Sequence, residues 1–401
     1  MIKLIEGEAI TVDQAASMAA AKMTDNEINQ KYIKGEVRIV TEQARYPLPS
    51  IITMLSGDNY LLNPEFQRRH RWNIEQKSRL MESFIMNVPI PPIFLYEDRY
   101  SHYEVMDGLQ RLTAIREFYN DDYALENLEQ WPELNGKKYS ELPDQIAKGI
   151  DRRYLSSIIL LQETARDEEE ASRLKQLVFE RINSGGVQLK PQESRNAIYA
   201  GRLNDLCIKL ARNKYLCKMW GIPLPTKDEL ENDKISEILL KNELYREMGD
   251  VELVLRFFTV RQRETLFKYV SNFRFLLDLY LREGNQFSEN TLLQLEHLFN
   301  DTIAFVYELL GEKAFWLYRE RNGHWNWFKR PAVVIYDSIM ITASKFLDQK
   351  ASILAQKAKI EPLLIQFYKD NYETFEGRNV NPSAIKDREQ KFEDFFKSLI
   401  K

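Results

Sequence analysis

The sequence is poor in several residue types, and each shortage removes a class of explanation. Two cysteines, Cys207 and Cys217, occur among 401 residues, too few for a disulfide framework or a four-thiolate zinc site. Their placement inside a helical pattern reads as two packed thiols. The four histidines, His70, His102, His297 and His324, are scattered, which argues against a histidine-rich metal site. Glycine (15) and proline (14) are scarce, which disfavours a low-complexity chain and a loop-dominated all-β fold. No apolar run approaches the roughly 18 residues that a membrane span requires. The opening Met1-Ile2-Lys3-Leu4-Ile5-Glu6 turns polar at once, unlike a secretory leader, so the expected setting is the cytoplasm, without a membrane partner. GxGxxG, HExxH, CxxC and Walker A patterns are all missing, as is any Ser/His/Asp arrangement. Charge of one sign is lacking too: 56 Lys plus Arg stand against 60 Asp plus Glu, for a net charge of −4. A sequence-wide polyanion glove is thereby excluded, and any nucleic-acid contact must come from local patches.

What the chain does have is core material. Hydrophobic residues make up 44% of it, and its length favours two domains over one. The expected class is α+β. Residues 1–45 read as a helical N-terminal arm, 46–202 as a mixed domain with a small mixed sheet, and 203–401 as an all-α domain. In the mixed part, helices are expected over 48–55, 73–86, 109–119 and 166–183. Short strands are expected over 93–96, 102–106 and 157–161. Val88-Pro89-Ile90-Pro91-Pro92 must end the second of these helices, because consecutive prolines remove amide donors and force extended backbone. The acidic turn Asp167-Glu168-Glu169-Glu170 reads as a complement to the dipole of the helix it opens.

Three short constellations in the mixed part carry candidate chemistry. In Glu65-Phe66-Gln67-Arg68-Arg69-His70-Arg71-Trp72, three arginines occupy four positions. Guanidinium forks match phosphate oxygens, yet residues 60–119 hold eight basic and eight acidic side chains, so surface pairing explains them equally. In Met106-Asp107-Gly108-Leu109-Gln110-Arg111 a strand runs through a glycine turn into a helix, placing free amides and a positive dipole end beside Gly108. Asp107 there either caps the helix or holds Mg²⁺ or a water at a phosphate. In Asn183-Ser184-Gly185-Gly186, paired glycines either end a helix or admit a ligand close to the backbone. Farther on, Phe315 to Arg330 interleaves aromatics with cations. Aromatic helix packing explains that pattern, and so does a base-stacking or partner surface.

Taken in order, these segments resemble the N-terminal domain of GmrSD-type restriction systems, a family related to the ParB/sulfiredoxin-like fold. The resemblance covers residues 46–200. It rests on Phe66 to Trp72, Pro89 to Leu95, Asp107 to Thr113, Phe179 to Gly186 and Pro191-Gln192-Glu193-Ser194-Arg195-Asn196-Ala197. Leu109 stands where the family often has glutamine, His70 where it often has an aromatic residue, and Arg71 where it often has an apolar one. These departures leave the acid and the arginines in place and bear on substrate preference.

The resemblance implies an NTPase coupled to DNA recognition or cleavage in anti-phage defence. In this reading Asp107, Gln110 and Arg111 are catalytic. Gln67, Arg68, Arg69, Gly108, Asn183, Gly185, Gly186 and Arg195 bind the nucleotide phosphates, and Asp107 is the candidate Mg²⁺ ligand. The implied partners are a nucleoside triphosphate, DNA and a His-Asn-His nuclease subunit, with self-association left open. The chain has no such nuclease motif itself, since His324-Trp325-Asn326 is the only near match and its surroundings read as helical. A ParB-like DNase and a non-enzymatic nucleotide-gated DNA adaptor are the alternatives.

Overall fold

A computed structural model describes residues 4–10, 24–34, 39–62, 69, 72–161, 168–183, 190–232, 235–266, 272–375 and 382–400. The chain divides into two compact units, Ala20–Leu189 and Met1–Ala19 with Lys190–Lys401. The mixed unit is therefore inserted between two pieces of the helical one. None of the helices among the described residues is long and apolar enough to cross a membrane.

The mixed unit is organised by a five-stranded sheet in the order β1-β5-β3-β4-β2. Its elements are α1 (Asp25–Lys34), β1 (Thr41–Pro47), α2 (Ser50–Ser56), β2 (Tyr60–Leu61), α3 (Ile74–Ile85), β3 (Ile93–Arg99), β4 (His102–Asp107), α4 (Leu109–Tyr119), α5 (Asp144–Asp151), β5 (Tyr154–Leu160) and α6 (Glu168–Asn183). The β3–β5 and β2–β4 pairs are parallel, while β1–β5 and the β3–β4 hairpin are antiparallel. Local chemistry accounts for several boundaries. Asn73 and Gln76 cap α3 reciprocally, each side chain accepting from the other's backbone N–H. The 88–92 proline run then leads into β3, as expected.

Buried side chains of α2, α3 and α4, among them Ile51, Met81, Phe84, Leu112, Ile115 and Phe118, form one core with Ile93, Leu95, Val105 and Leu155 from the strands. The loop after α4 is fastened to this core. Buried Glu82 accepts from the Gln130 and Trp131 amides at 2.7 and 3.0 Å. Asp151 accepts from the hydroxyls of Tyr119 and Tyr139 at 2.9 and 2.8 Å. Strand β1 lies at the end of the segment expected to be a helical arm. It is a largely exposed edge strand of mostly polar residues, with little hydrophobic pattern to mark it.

The helical unit packs α7 (Pro191–Ile198), α8 (Arg202–Ala211), α9 (Gly249–Arg261), α10 (Phe273–Gly284), α11 (Glu289–Leu310), α12 (Val333–Lys345), α13 (Ile360–Asp370) and α14 (Pro382–Ile400) around one large core rich in phenylalanine and leucine. Cys207 and Cys217 are buried free thiols, and burial pushes the Cys217 thiol up to about 11. Both fit the packed-thiol reading.

The expected all-α character needs correction. Strands β6 (Trp316–Arg321) and β7 (His324–Pro331) form an antiparallel hairpin in this unit. Asn322 and Gly323 both take positive φ, 52° and 77°, the backbone of a tight two-residue hairpin turn. His324-Trp325-Asn326 consequently lies on a strand, with α12 following. Among the described residues no group of three or more His, Cys, Asp or Glu side chains could hold a metal ion.

The N-terminal residues 4–10 belong to this unit by specific bonds. Glu8 is fully buried, its carboxylate 2.9 Å from Arg261 and 3.3 Å from the Tyr280 hydroxyl. Thr291 Oγ1 donates to the Glu6 carbonyl at 3.0 Å, and Ile10 N–H donates to Gln262 at 3.3 Å. Removing one partner of a buried pair strands the other's charge, at a cost of about 3–5 kcal/mol. Glu8→Ala should therefore lower the urea midpoint of the helical unit by that equivalent. An unchanged midpoint would show that the N-terminal segment adds nothing to this fold.

Candidate functional site

The site is built where β4 gives way to α4. Asp107 ends the strand, and Gly108 turns the chain with φ at 94°. A side chain is excluded at Gly108 twice over. That φ is left-handed, and a Cβ there would sit 2.3 Å from Ile93 Cγ2. As at any helix start, the first-turn amides of Leu109, Gln110 and Arg111 lack helical acceptors; the first helical bond runs from Leu112 N–H to the Gly108 carbonyl.

Asp107 does not cap the helix. Gly108 occupies that position and no side chain caps it. Instead Asp107 Oδ2 accepts from Arg111 NH2 at 2.7 Å. Arg111 NH1 donates to the Pro91 carbonyl and, at 3.2 Å, to the Pro92 carbonyl. The guanidinium is thus fixed on three sides, with its side chain 12% exposed against 40% for Asp107. Burial pulls the Arg111 pKa down, and the neighbouring carboxylate opposes that shift. An arginine so engaged acts mainly to position Asp107. The proline run, whose role sequence reasoning missed, supplies the carbonyls that hold the arginine.

Gln110 has a positioning contact as well. Its Oε1 accepts from Trp72 N–H at 3.1 Å, while its Nε2 is buried without a hydrogen-bond partner among the described residues. Trp72 directly follows the arginine-rich run in sequence, so Gln110 ties the end of that run to α4. Of the run itself, Arg69 is nearly fully buried, while Gln67, Arg68, His70 and Arg71 lie outside the described residues. Glu104, farther back on β4, pairs with Lys175 of α6. No sequence spacing signals that contact, because the partners are 71 positions apart.

Asn183 ends α6 and Gly185 and Gly186 lie outside the described residues. The expected acidic turn at 167–170 has its helix start at Glu168, with Asp167 outside the description. Arg195 belongs to the helical unit. Its guanidinium is buried against Asp278 at 2.6 Å, Glu252 at 2.8 Å and Gln192 at 3.0 Å, which gives it a structural role there.

Comparison with known families matches residues 46–200 to the model described as GmrSD restriction endonuclease, N-terminal domain. Residues 46–200 are thus similar to a GmrSD N-terminal domain. No curated protein and no solved structure matches the chain. The GmrSD match begins just before α2 and spans the whole β3–β4–α4 site, so Asp107, Gly108, Gln110 and Arg111 all fall inside it.

The double exclusion at Gly108 yields a direct test. Gly108→Ala combines left-handed strain with overpacking and should cost about 2–5 kcal/mol, read as a fall in the thermal midpoint of the mixed unit. A midpoint within error of the wild-type value would mean that the turn is not held as described.

Proposed function

We propose that the chain is the nucleotide-hydrolysing component of a restriction system, using the β4–α4 turn as its phosphate site and coupling turnover to DNA recognition or cleavage. The observation that carries this reading is the arrangement at the turn. A carboxylate with one oxygen clamped by a fixed guanidinium stands beside helix amides without helical acceptors and a buried, unpartnered amide donor. Oriented donors at such a turn can accept phosphate oxygens. In this reading Asp107 Oδ1, which has no hydrogen bond among the described residues, orients a water for in-line attack.

The residues also fit Mg²⁺ in one particular way. Asp107 offers a carboxylate outside any metal-holding group of three or more His, Cys, Asp or Glu, none of which occurs among the described residues. Magnesium is commonly held by one or two carboxylates with substrate phosphates and waters, and bound there it would neutralise phosphate charge. Gln67, Arg68, Arg69, Asn183, Gly185 and Gly186 complete the proposed nucleotide-binding set. The restriction-endonuclease description of the matched family favours a second reading, in which Asp107 serves a ParB-like DNase.

A thermal-shift panel of the four nucleoside triphosphates with Mg²⁺ comes first, since a ligand at 100 times its Kd stabilises by about 2.7 kcal/mol. Asp107→Asn, which keeps an acceptor oxygen for Arg111 but not the charge, should then reduce phosphate release by about 100-fold or more in a chain that is still folded. Arg111→Lys, which cannot span carboxylate and carbonyls as a fork, should lower turnover more than nucleotide affinity. Full phosphate release by a folded Asp107→Asn chain would overturn the proposal. Plasmid nicking in Mg²⁺ without nucleotide, lost in the same variant, would select the DNase.

A further inference from the structure

The β6–β7 hairpin has two unlike faces. On one, Tyr318 stacks on Trp325 at 5.8 Å and meets Trp327 edge-on at 5.2 Å. These rings in turn contact Tyr372 and Tyr368 of the neighbouring helical segments. This face is the hairpin's backing, and it joins the core through Trp327 and Tyr318. The other face follows from the register. Arg319 pairs across the strands with Asn326, and Arg321 with His324, so these four side chains project together from the outer half of the ribbon. Arg321, His324 and Asn326 are exposed. Arg319 lies over the Phe328 ring at 4.0 Å.

The charge on that face is uncompensated. Arg319 and Arg321 make no ion pair among the described residues. Elsewhere in the same unit arginines are matched with acids, as Arg195 is with Asp278, Arg256 with Asp337 and Arg261 with Glu8. Glu320, the only acid on the two strands, alternates to the aromatic face. A chain of net charge −4 therefore presents a ribbon whose free face is cationic.

We infer that the outer half of the β6–β7 ribbon is a duplex-DNA reader that enters the major groove with Arg319, Arg321, His324 and Asn326 facing the bases. The dimensions agree. Two strands about 4.8 Å apart with their side chains form a ribbon that fits a groove about 12 Å wide. The residue types agree too, since arginine pairs with guanine and asparagine with adenine in that groove. Exposed Lys329 and Arg330 follow at the base of β7, and contacts of such cations with backbone phosphates supply affinity and its salt dependence. The tight Asn322-Gly323 turn and the aromatic backing hold the ribbon in one shape, so little order is lost on binding. Duplex RNA is excluded on the same geometry, because its major groove is too deep and narrow for side chains to read.

The inference does not rest on the nucleotide site, and the test keeps the two apart. Binding of the full chain to a short labelled DNA duplex is measured by fluorescence anisotropy without nucleotide, across a salt series, beside an RNA duplex of the same sequence. Arg319→Ala/Arg321→Ala should weaken DNA binding by about tenfold or more and flatten the preference among duplex sequences. Arg319→Lys/Arg321→Lys keeps the charge without the bidentate fork and should recover affinity only in part. Asn326→Ala should leave the log K against log salt slope unchanged and flatten the preference among duplex sequences. All three should hydrolyse nucleotide at the wild-type rate in the absence of DNA. The inference fails if the wild-type chain does not bind duplex DNA, if it binds RNA duplex as tightly, or if the alanine pair changes neither affinity nor sequence preference.

Discussion

The Arg111 guanidinium is the point on which the mixed unit's site depends. It donates to the carbonyls of Pro91 and Pro92 and fixes the rotamer of Asp107. Each partner constrains the others. The proline run must be extended for its carbonyls to converge, and the turn must pass close over Ile93 for the arginine to reach them. Only glycine allows that passage. A buried guanidinium is costly to leave half-paired, so the arrangement tolerates little drift. An acid held this way meets its target without first losing rotamer freedom, which is how positioning lowers a barrier.

The helical unit uses the same device for a different end. Glu8 with Arg261, Arg195 with Asp278 and Arg256 with Asp337 join segments far apart in the chain. The Glu8 bridge is the most consequential, because it returns the N-terminal segment to a unit whose remaining residues begin only at Lys190. Chain order and packing order therefore differ. A linear division of the sequence misses this, since residues 4–10 carry neither periodicity nor length enough to mark a partner.

Legibility followed locality. The cap at Asn73, the proline stop at 88–92, the β3–β4 hairpin and the start of α4 after Gly108 all depend on neighbours within a few positions, and all could be read from the sequence. Strand β1 could not, because an exposed edge strand of mostly polar residues shows no buried alternation. The β6–β7 hairpin did leave a local signal, Asn322-Gly323 between residues of high strand propensity. Its crowding by aromatics inside a helical region hid that signal. At the candidate site the residue types were legible while their division of labour was not. Whether Arg111 grips a ligand or grips Asp107 is decided by carbonyls 19 and 20 positions away.

The near-neutral charge sum illustrates the same point for binding. Totals treat every cation alike, yet a guanidinium buried against Asp278 contributes nothing to the potential a polyanion meets, whereas one projecting from a rigid ribbon contributes fully. The helical unit matches its interior arginines with acids and leaves those on the outer ribbon unmatched. Repulsion among like charges on a small face costs stability, and the aromatic stack behind the ribbon is what offsets it in the folded protein. A face maintained against its own repulsion gains most when it meets an opposite charge, and the ribbon's width sets which charged partner it can enter.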